Sequence, residues 1–181
     1  MKNKSLLVIV DMQNDFINGS LGTKEAESIV KRVADKIRLW DGDIVYTKDT
    51  HGEDYLDTSE GKKLPVRHCI DGTLGHELHP DIDAARAERA DKGAYSSTVI
   101  KKRSFGSLEL ARMVTEGNYD HIEFAGLCTD ICVISNVMIV KAAVPEAEIV
   151  VDASCCAGVT PKSHRNALSS MKSCQIDIIN E

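Results

Sequence analysis

The chain has 181 residues, 43% hydrophobic and 28% charged, the proportions of a globular protein, which excludes a disordered, collagen-like or coiled-coil chain. Its net charge of -6 opposes binding to phosphate backbones and anionic lipid, and an aromatic content of 4% leaves few platforms for stacked bases. No apolar run approaches the ~20 residues that span a bilayer and no signal-peptide pattern opens the chain, so the expectation is a cytoplasmic protein with neither nucleic acid nor membrane as partner.

Six cysteines are spread unevenly as Cys69, Cys128, Cys132, Cys155, Cys156 and Cys174. In a chain large enough to hold itself together, that pattern fits free thiols in a reducing compartment. No Pro-, Gly- or Ser-rich linker divides the sequence, so residues 1–181 are expected to form a single domain.

The run Ser5-Leu-Leu-Val-Ile-Val10 is apolar without alternation, as in a strand covered on both faces, and it ends at Asp11. From Thr23 to Trp40 the residues Ala26, Ile29, Val30, Val33 and Ile37 recur at helical spacing, and Asp41-Gly42-Asp43 stops that helix. Ile44 to Thr47 reads as a second strand leading to Asp49. The next thirty or so residues have no sustained period and read as a long loop, a feature that is uncommon in compact domains and tends to be functional. Thr98 to Ile100 is a third strand ending in Lys101 and Lys102, followed by a helix from Ser107 to Glu116. His121 to Ala125 is a fourth strand, Gly126-Leu127 a turn, and Thr129 to Val144 a helix apolar nearly all round. Ala147 to Val151, Pro161 to Met171 and Gln175 to Ile179 then read as strand, helix and strand. Strands alternating with helices predict an α/β fold, a parallel sheet with helices on both faces.

In such sheets ligands bind outside the carboxyl ends of the strands. Those ends carry Asp11, then Asp49 with His51, then Lys101 and Lys102, then Gly126 to Cys132. Each residue alone has an ordinary explanation as a cap, a solvated cation or a small buried hydrophobe; their convergence at one edge is the signal. A cysteine in the first turn of a helix is a nucleophile candidate, because backbone N–H groups and the helix dipole lower its pKa from ~8.5 and offer an oxyanion hole. Asp11 could take its proton, with a nearby lysine setting the charge balance. Asp49 and His51, two residues apart, can share a metal with His68 as third ligand, a set suited to Zn, Fe or Mn. His76, His79, His121 and His164 read as loop or surface residues.

Four segments together resemble the isochorismatase-like cysteine hydrolases, and among them the nicotinamidases: Val8-Ile-Val-Asp-Met-Gln-Asn-Asp-Phe16, Lys48-Asp-Thr-His51, His68-Cys-Ile-Asp-Gly-Thr-Leu-Gly75 and Gly126-Leu-Cys-Thr-Asp-Ile-Cys-Val133. The resemblance implies a three-layer fold around a six-stranded parallel sheet and an Asp, Lys and Cys triad at Asp11, Lys102 and Cys132. Lys101 is the rival for the lysine, since the family's stretch after the third strand is shortened here to Lys101-Lys-Arg-Ser-Phe-Gly-Ser107. It further implies a cis peptide before Cys128, an oxyanion hole from the N–H groups of Cys128 and Cys132, and Phe16 against the substrate ring. One divalent metal, with zinc favoured over iron or manganese, would sit on Asp49, His51 and His68; Glu60 reads first as a solvated loop residue and second as a contributor to that site.

The expected activity is conversion of nicotinamide to nicotinate and ammonia through a thioester. The alternative is hydrolysis of another small amide, carbamoyl or vinyl-ether substrate. A signalling receiver domain would need an acid ending the third strand, where lysine stands. A non-catalytic scaffold of the same fold is opposed by the presence of Cys132 with Asp11. The apolar helix from Ile131 to Val144 exceeds what one sheet face needs, and relatives are often oligomeric; a homo-oligomer is expected.

Overall fold

In the computed structural model, which describes residues 4–90 and 97–181, the first strand β1 (Ser5–Val10) is buried on both faces, as its unbroken apolar run predicts. Its alternate residues feed two cores. Leu7 and Ile9 lie in the core beneath helices α2 (Lys24–Leu39) and α3 (Pro80–Ala90). Leu6, Val8 and Val10 face the core formed with α4 (Leu108–Gly117), α5 (Ile134–Ala143) and α6 (Pro161–Ser173). The remaining strands are β2 (Asp43–Asp49), β3 (Ser97–Lys102), β4 (His121–Leu127), β5 (Glu148–Ala157) and β6 (Asp177–Ile179), and a short helical turn, α1 (Asn14–Ile17), follows β1.

All six strands are parallel in the order β3-β2-β1-β4-β5-β6, so the expected three-layer α/β architecture is present. The chain winds outward from β1 through β2 and β3, then returns to the other side of β1 with β4. That reversal leaves a crevice at the carboxyl ends of β1 and β4, where no crossover covers the sheet. No helix among the described residues is long and apolar enough to cross a membrane.

Several boundaries differ from the sequence reading. Helix α3, which the sequence reading did not place, has no strong apolar period, because only Ile82 and Ala85 are buried on a polar helix that opens at Pro80. Gly126 and Leu127 are not a turn but the end of β4, paired with Cys156 and Ala157 beyond an irregularity in register. Gly126 has φ +129° and a Cβ there would lie 2.1 Å from the Val10 carbonyl oxygen, so only glycine lets β4 close on β1 at this point. The helix expected from Thr129 begins as a π turn over Thr129–Val133 before α5. Strand β5 continues past Val151, the end read from the sequence, because the polar Asp152 is buried against α2.

There the Lys36 ammonium of α2 contacts Glu123 of β4 and lies 2.7 Å from Asp152 of β5, with all three side chains less than a fifth exposed. Burial pushes the Asp152 carboxyl up, but Lys36 and Ser154 outweigh it and hold the carboxyl below its ordinary value. Burial pushes Lys36 down, and its two carboxylate partners outweigh that and hold it up. The Asp152 contribution to stability is therefore present above pH ~4 and lost as pH falls through the folded value; that of Lys36 is present below pH ~10 and lost as pH rises through its folded value. Lys36→Met leaves two carboxylates buried together and is expected to lower the unfolding free energy by about 3 kcal/mol at pH 7 in urea titrations, with the gap narrowing below pH ~4. A loss below about 1 kcal/mol would mean that water screens the cluster.

Candidate active site

The edge of the crevice is built from the strand ends outward. Asp11 leaves β1 with φ 49°, a left-handed conformation that Asp tolerates better than most residues. It is fully buried, donates its N–H to the Thr47 carbonyl at 3.2 Å and accepts the Thr47 hydroxyl on Oδ1 at 2.6 Å. Lys102, at the end of β3, places its ammonium 2.7 Å from Asp11 Oδ2, 3.3 Å from Asp49 Oδ1, 3.1 Å from the Ser104 carbonyl oxygen and 3.5 Å from Cys132 Sγ. Lys101 faces the other way, as adjacent strand residues do, and pairs with exposed Asp71 at 2.8 Å. Asp11, Lys102 and Cys132 are thus brought together, and Lys101 is not.

Burial dominates the electrostatics. It raises the Asp11 carboxyl, with Lys102 pulling against it. It also pushes the Cys132 thiol well up, reinforced by the Asp11 charge and opposed by Lys102. The helix-dipole argument anticipated a lowered thiol pKa; desolvation in a site that also holds Asp11 outweighs it. A thiol held up by burial beside a carboxyl whose basicity is raised suits proton transfer from sulfur to oxygen as the sulfur attacks.

A second cluster adjoins the first. Asp49 Oδ2 lies 2.8 Å from His51 Nε2 and 3.5 Å from His68 Nε2, and Glu60 Oε1 lies 3.7 and 3.8 Å from the same two nitrogens. One donor atom from each of the four residues falls within 4.8 Å of every other. His68 Nδ1 sits 2.8 Å from the Val66 carbonyl oxygen; donating there leaves Nε2 with a free lone pair toward the cluster. One ammonium, Lys102, faces three carboxylates, so a divalent cation among these donors meets both the ligand chemistry and the surplus negative charge. Burial and the Asp49 charge push the Glu60 carboxyl up.

Supporting residues that the sequence reading did not single out fix these strand ends. Gln13 accepts the Asp49 N–H at 2.7 Å and donates to the carbonyl oxygens of Asp49 at 2.9 Å and His76 at 2.8 Å. Asp15 accepts the Cys69 N–H at 2.7 Å, and Gly75 has no side chain to fill the space its carboxylate occupies. Together they pin the long loop that carries His68 across the crevice. Tyr55 packs against both imidazoles, tilted to His51 and edge-on to His68 with ring centres 4.6 Å and 5.0 Å apart, and its hydroxyl donates to the Leu64 carbonyl. His76, read as a loop residue, is in fact buried, with Nε2 3.0 Å from the Thr50 hydroxyl. Gln13 and Asp15 sit inside the first motif, where their spacing after Asp11 was the available signal; Tyr55 and His76 had none.

Both clusters open into one cavity of about 210 Å³, lined among others by Phe16, Asp49, Glu60, His68, Cys128 and Cys132. Phe16 has its ring centre 5.5 Å from that of His68. The peptide bond between Leu127 and Cys128 is cis.

The sequence matches the Isochorismatase domain over residues 5–180. It is 26% identical over 182 residues to a nicotinamidase/pyrazinamidase from Mycobacterium tuberculosis, across 96% of this chain and 97% of that one. Its structure is similar to a nicotinamidase from Bacillus subtilis, with TM-score 0.83 and 25% identity over 98% of this chain and 99% of that one. It is also similar to the pyrazinamidase of Pyrococcus horikoshii solved in complex with zinc, with TM-score 0.78 and 25% identity over 98% and 99% of the two chains. A match that runs almost from end to end, on a fold whose crevice gathers these residues, means that the chain belongs to the isochorismatase domain family.

Proposed function

We propose that the chain is a metal-assisted cysteine amidohydrolase that converts nicotinamide to nicotinate and ammonia. The observation that carries this reading is a small cavity with the Cys132 thiol on one side, Asp49, Glu60 and His68 of the donor cluster on another, and the Phe16 ring in its lining. A flat ring bearing a carboxamide can reach both walls at once. The names of the Mycobacterium and Bacillus relatives point the same way.

In the proposed reaction Asp11 takes the proton from the Cys132 thiol as the sulfur attacks the carboxamide carbon. The oxygen that becomes negative rests on the N–H groups of Cys128 and Cys132, and Lys102 balances the charge of Asp11 while sulfur is ionised. Collapse breaks the C–N bond, Asp11 returns the proton to the leaving nitrogen, and ammonia departs from a Cys132 thioester. Asp11 then removes a proton from water, whose oxygen attacks the thioester carbon; nicotinate leaves and the thiol is restored. Phe16 packs against the ring. Asp49, His51 and His68 hold the metal, with Glu60 as a further donor directly or through water. When bound, a divalent cation there supplies a Lewis-acid position for the ring nitrogen. Zinc is the proposed metal, supported by the nitrogen and oxygen donors and by the zinc complex of the Pyrococcus relative; iron and manganese suit the same donors.

A second reading within the family is a larger small amide or carbamoyl compound. It is favoured by an outer cleft of about 750 Å³ that shares Glu60, Leu64, Phe105 and Ile131 with the inner cavity. The homo-oligomer remains a proposal, supported by half-buried Ile134, Met138 and Ile139 along α5, by half-buried Ile131 in the π turn before it and by exposed Leu108 on α4.

Purified, metal-analysed protein is expected to release ammonia from nicotinamide, and Cys132→Ala to abolish that release while keeping fold and metal. No release from metal-loaded protein would reject nicotinamide as substrate, and release by Cys132→Ala would reject Cys132 as nucleophile. Separately, His51→Ala and His68→Ala are each expected to bring the metal content well below one per chain and to raise KM, with far-ultraviolet circular dichroism unchanged. Full metal occupancy in both variants would move the metal elsewhere.

A further inference from the structure

Asn136 lies on α5, four residues after Cys132 and fully buried in a helix that is otherwise mostly apolar. An unpaired amide in such a place would cost several kcal/mol, and this one is fully employed on backbone groups. Its Nδ2 donates to the Cys132 carbonyl at 2.8 Å and to the Phe105 carbonyl at 3.0 Å, and its Oδ1 accepts the Ser107 N–H at 3.0 Å. The π turn that carries Cys132 departs from the regular ladder, and side chains of the following turn return to it, with the Ser135 hydroxyl donating to the Ile131 carbonyl at 2.6 Å.

The other end of the Asn136 link is the segment from Arg103 to Ser107. It follows Lys102 directly, gives its Ser104 carbonyl to the Lys102 ammonium and ends at Ser107, whose hydroxyl caps α4. Phe105 lines both the inner cavity and the outer cleft. The contacts therefore close a ring that runs from Cys132 through Asn136 to Phe105 and Ser107, back along the chain to Lys102, and across 3.5 Å to the Cys132 sulfur. Neither Leu, which lacks the polar atoms, nor Asp, which lacks the donors, could serve all three backbone groups.

We infer that Asn136 is a positioning residue that sets the Cys132 thiol against Lys102 and, through the Phe105 backbone, fixes the wall dividing the two cavities. The kinetic part of this inference rests on the amidase reading; the thiol part does not. Asn136→Ala removes both ties. Asn136→Thr keeps a hydroxyl able to bond the carbonyl four residues back, hence the Cys132 tie, while losing the tie to Phe105 and Ser107.

The experiment compares parent, Asn136→Ala and Asn136→Thr at full metal occupancy, by ammonia release from nicotinamide and by the rate of Cys132 alkylation with iodoacetamide, read by peptide mass spectrometry. Asn136→Ala is expected to lose tenfold or more in kcat, to raise KM and to slow Cys132 alkylation at least fivefold. Asn136→Thr is expected to recover kcat to within threefold of the parent and to keep the raised KM, a split that a loss of general stability does not produce. If Asn136→Ala does not fold, the kcat and KM of Asn136→Thr decide alone. If the parent releases no ammonia, the amidase reading fails and the alkylation rates decide the positioning role. Values of kcat, KM and alkylation rate within twofold of the parent in every folded variant would overturn the inference.

Discussion

The ammonium of Lys102 is almost fully buried, and the carboxyl edge of the sheet is arranged around neutralising it. An isolated buried ammonium costs several kcal/mol, so it persists only with close partners. Here the partners are Asp11 and Asp49, from the ends of the neighbouring strands β1 and β2, with the Cys132 thiol completing the shell. Because Asp49 also faces His51 and His68, this one cation joins the thiol cluster electrostatically to the donor cluster. Changes at either cluster are felt at the other, and the burial that raises Asp11 and Cys132 acts on a shared desolvated space.

The fold supplies that space through topology. The reversal of strand order between β1 and β4 leaves the crevice, and Gly126 lets the two strands approach where Asp11 and the Cys128–Cys132 turn emerge. Strands fix the direction of Asp11, Asp49 and Lys102, but His68 and Glu60 come from a long loop with little regular structure of its own. Side chains that touch backbone bring that loop and the strand ends into register: Gln13 at Asp49 and His76, Asp15 at Cys69, and Asn136 at Cys132 and Phe105. Sites held in this way keep their geometry because loss of any one clamp leaves buried polar groups unpaired.

Much of this was legible in the sequence because burial and chemistry leave local marks. β1 is apolar on both faces and reads as a covered strand; the acid, cation and thiol at successive strand ends converge once the sheet is parallel. What the sequence hid has physical reasons. Helix α3 buries only two residues, so it carries no strong period. The choice between Lys101 and Lys102 depends on strand phase, which a shortened motif leaves open until the register of β3 is known. The raised Cys132 pKa follows from desolvation, a property of the assembled site that no residue spacing encodes. Asn136 left a trace, an amide four residues after the thiol in an apolar helix, but its partners at Phe105 and Ser107 are distant in sequence.

The proposed chemistry draws on each of these groups: a base made stronger by burial, a thiol beside it, a cation to hold the charge, and a donor cluster placed to orient a ring. Its central claim is that Cys132 carries the acyl group. The most direct measurement is mass spectrometry of protein acid-quenched during turnover of nicotinamide, with peptides mapped for modification. The account predicts a nicotinoyl thioester on Cys132 that disappears when substrate is exhausted. Turnover with Cys132 unmodified and the acyl group on another cysteine, or on none under conditions that preserve thioesters, would contradict it.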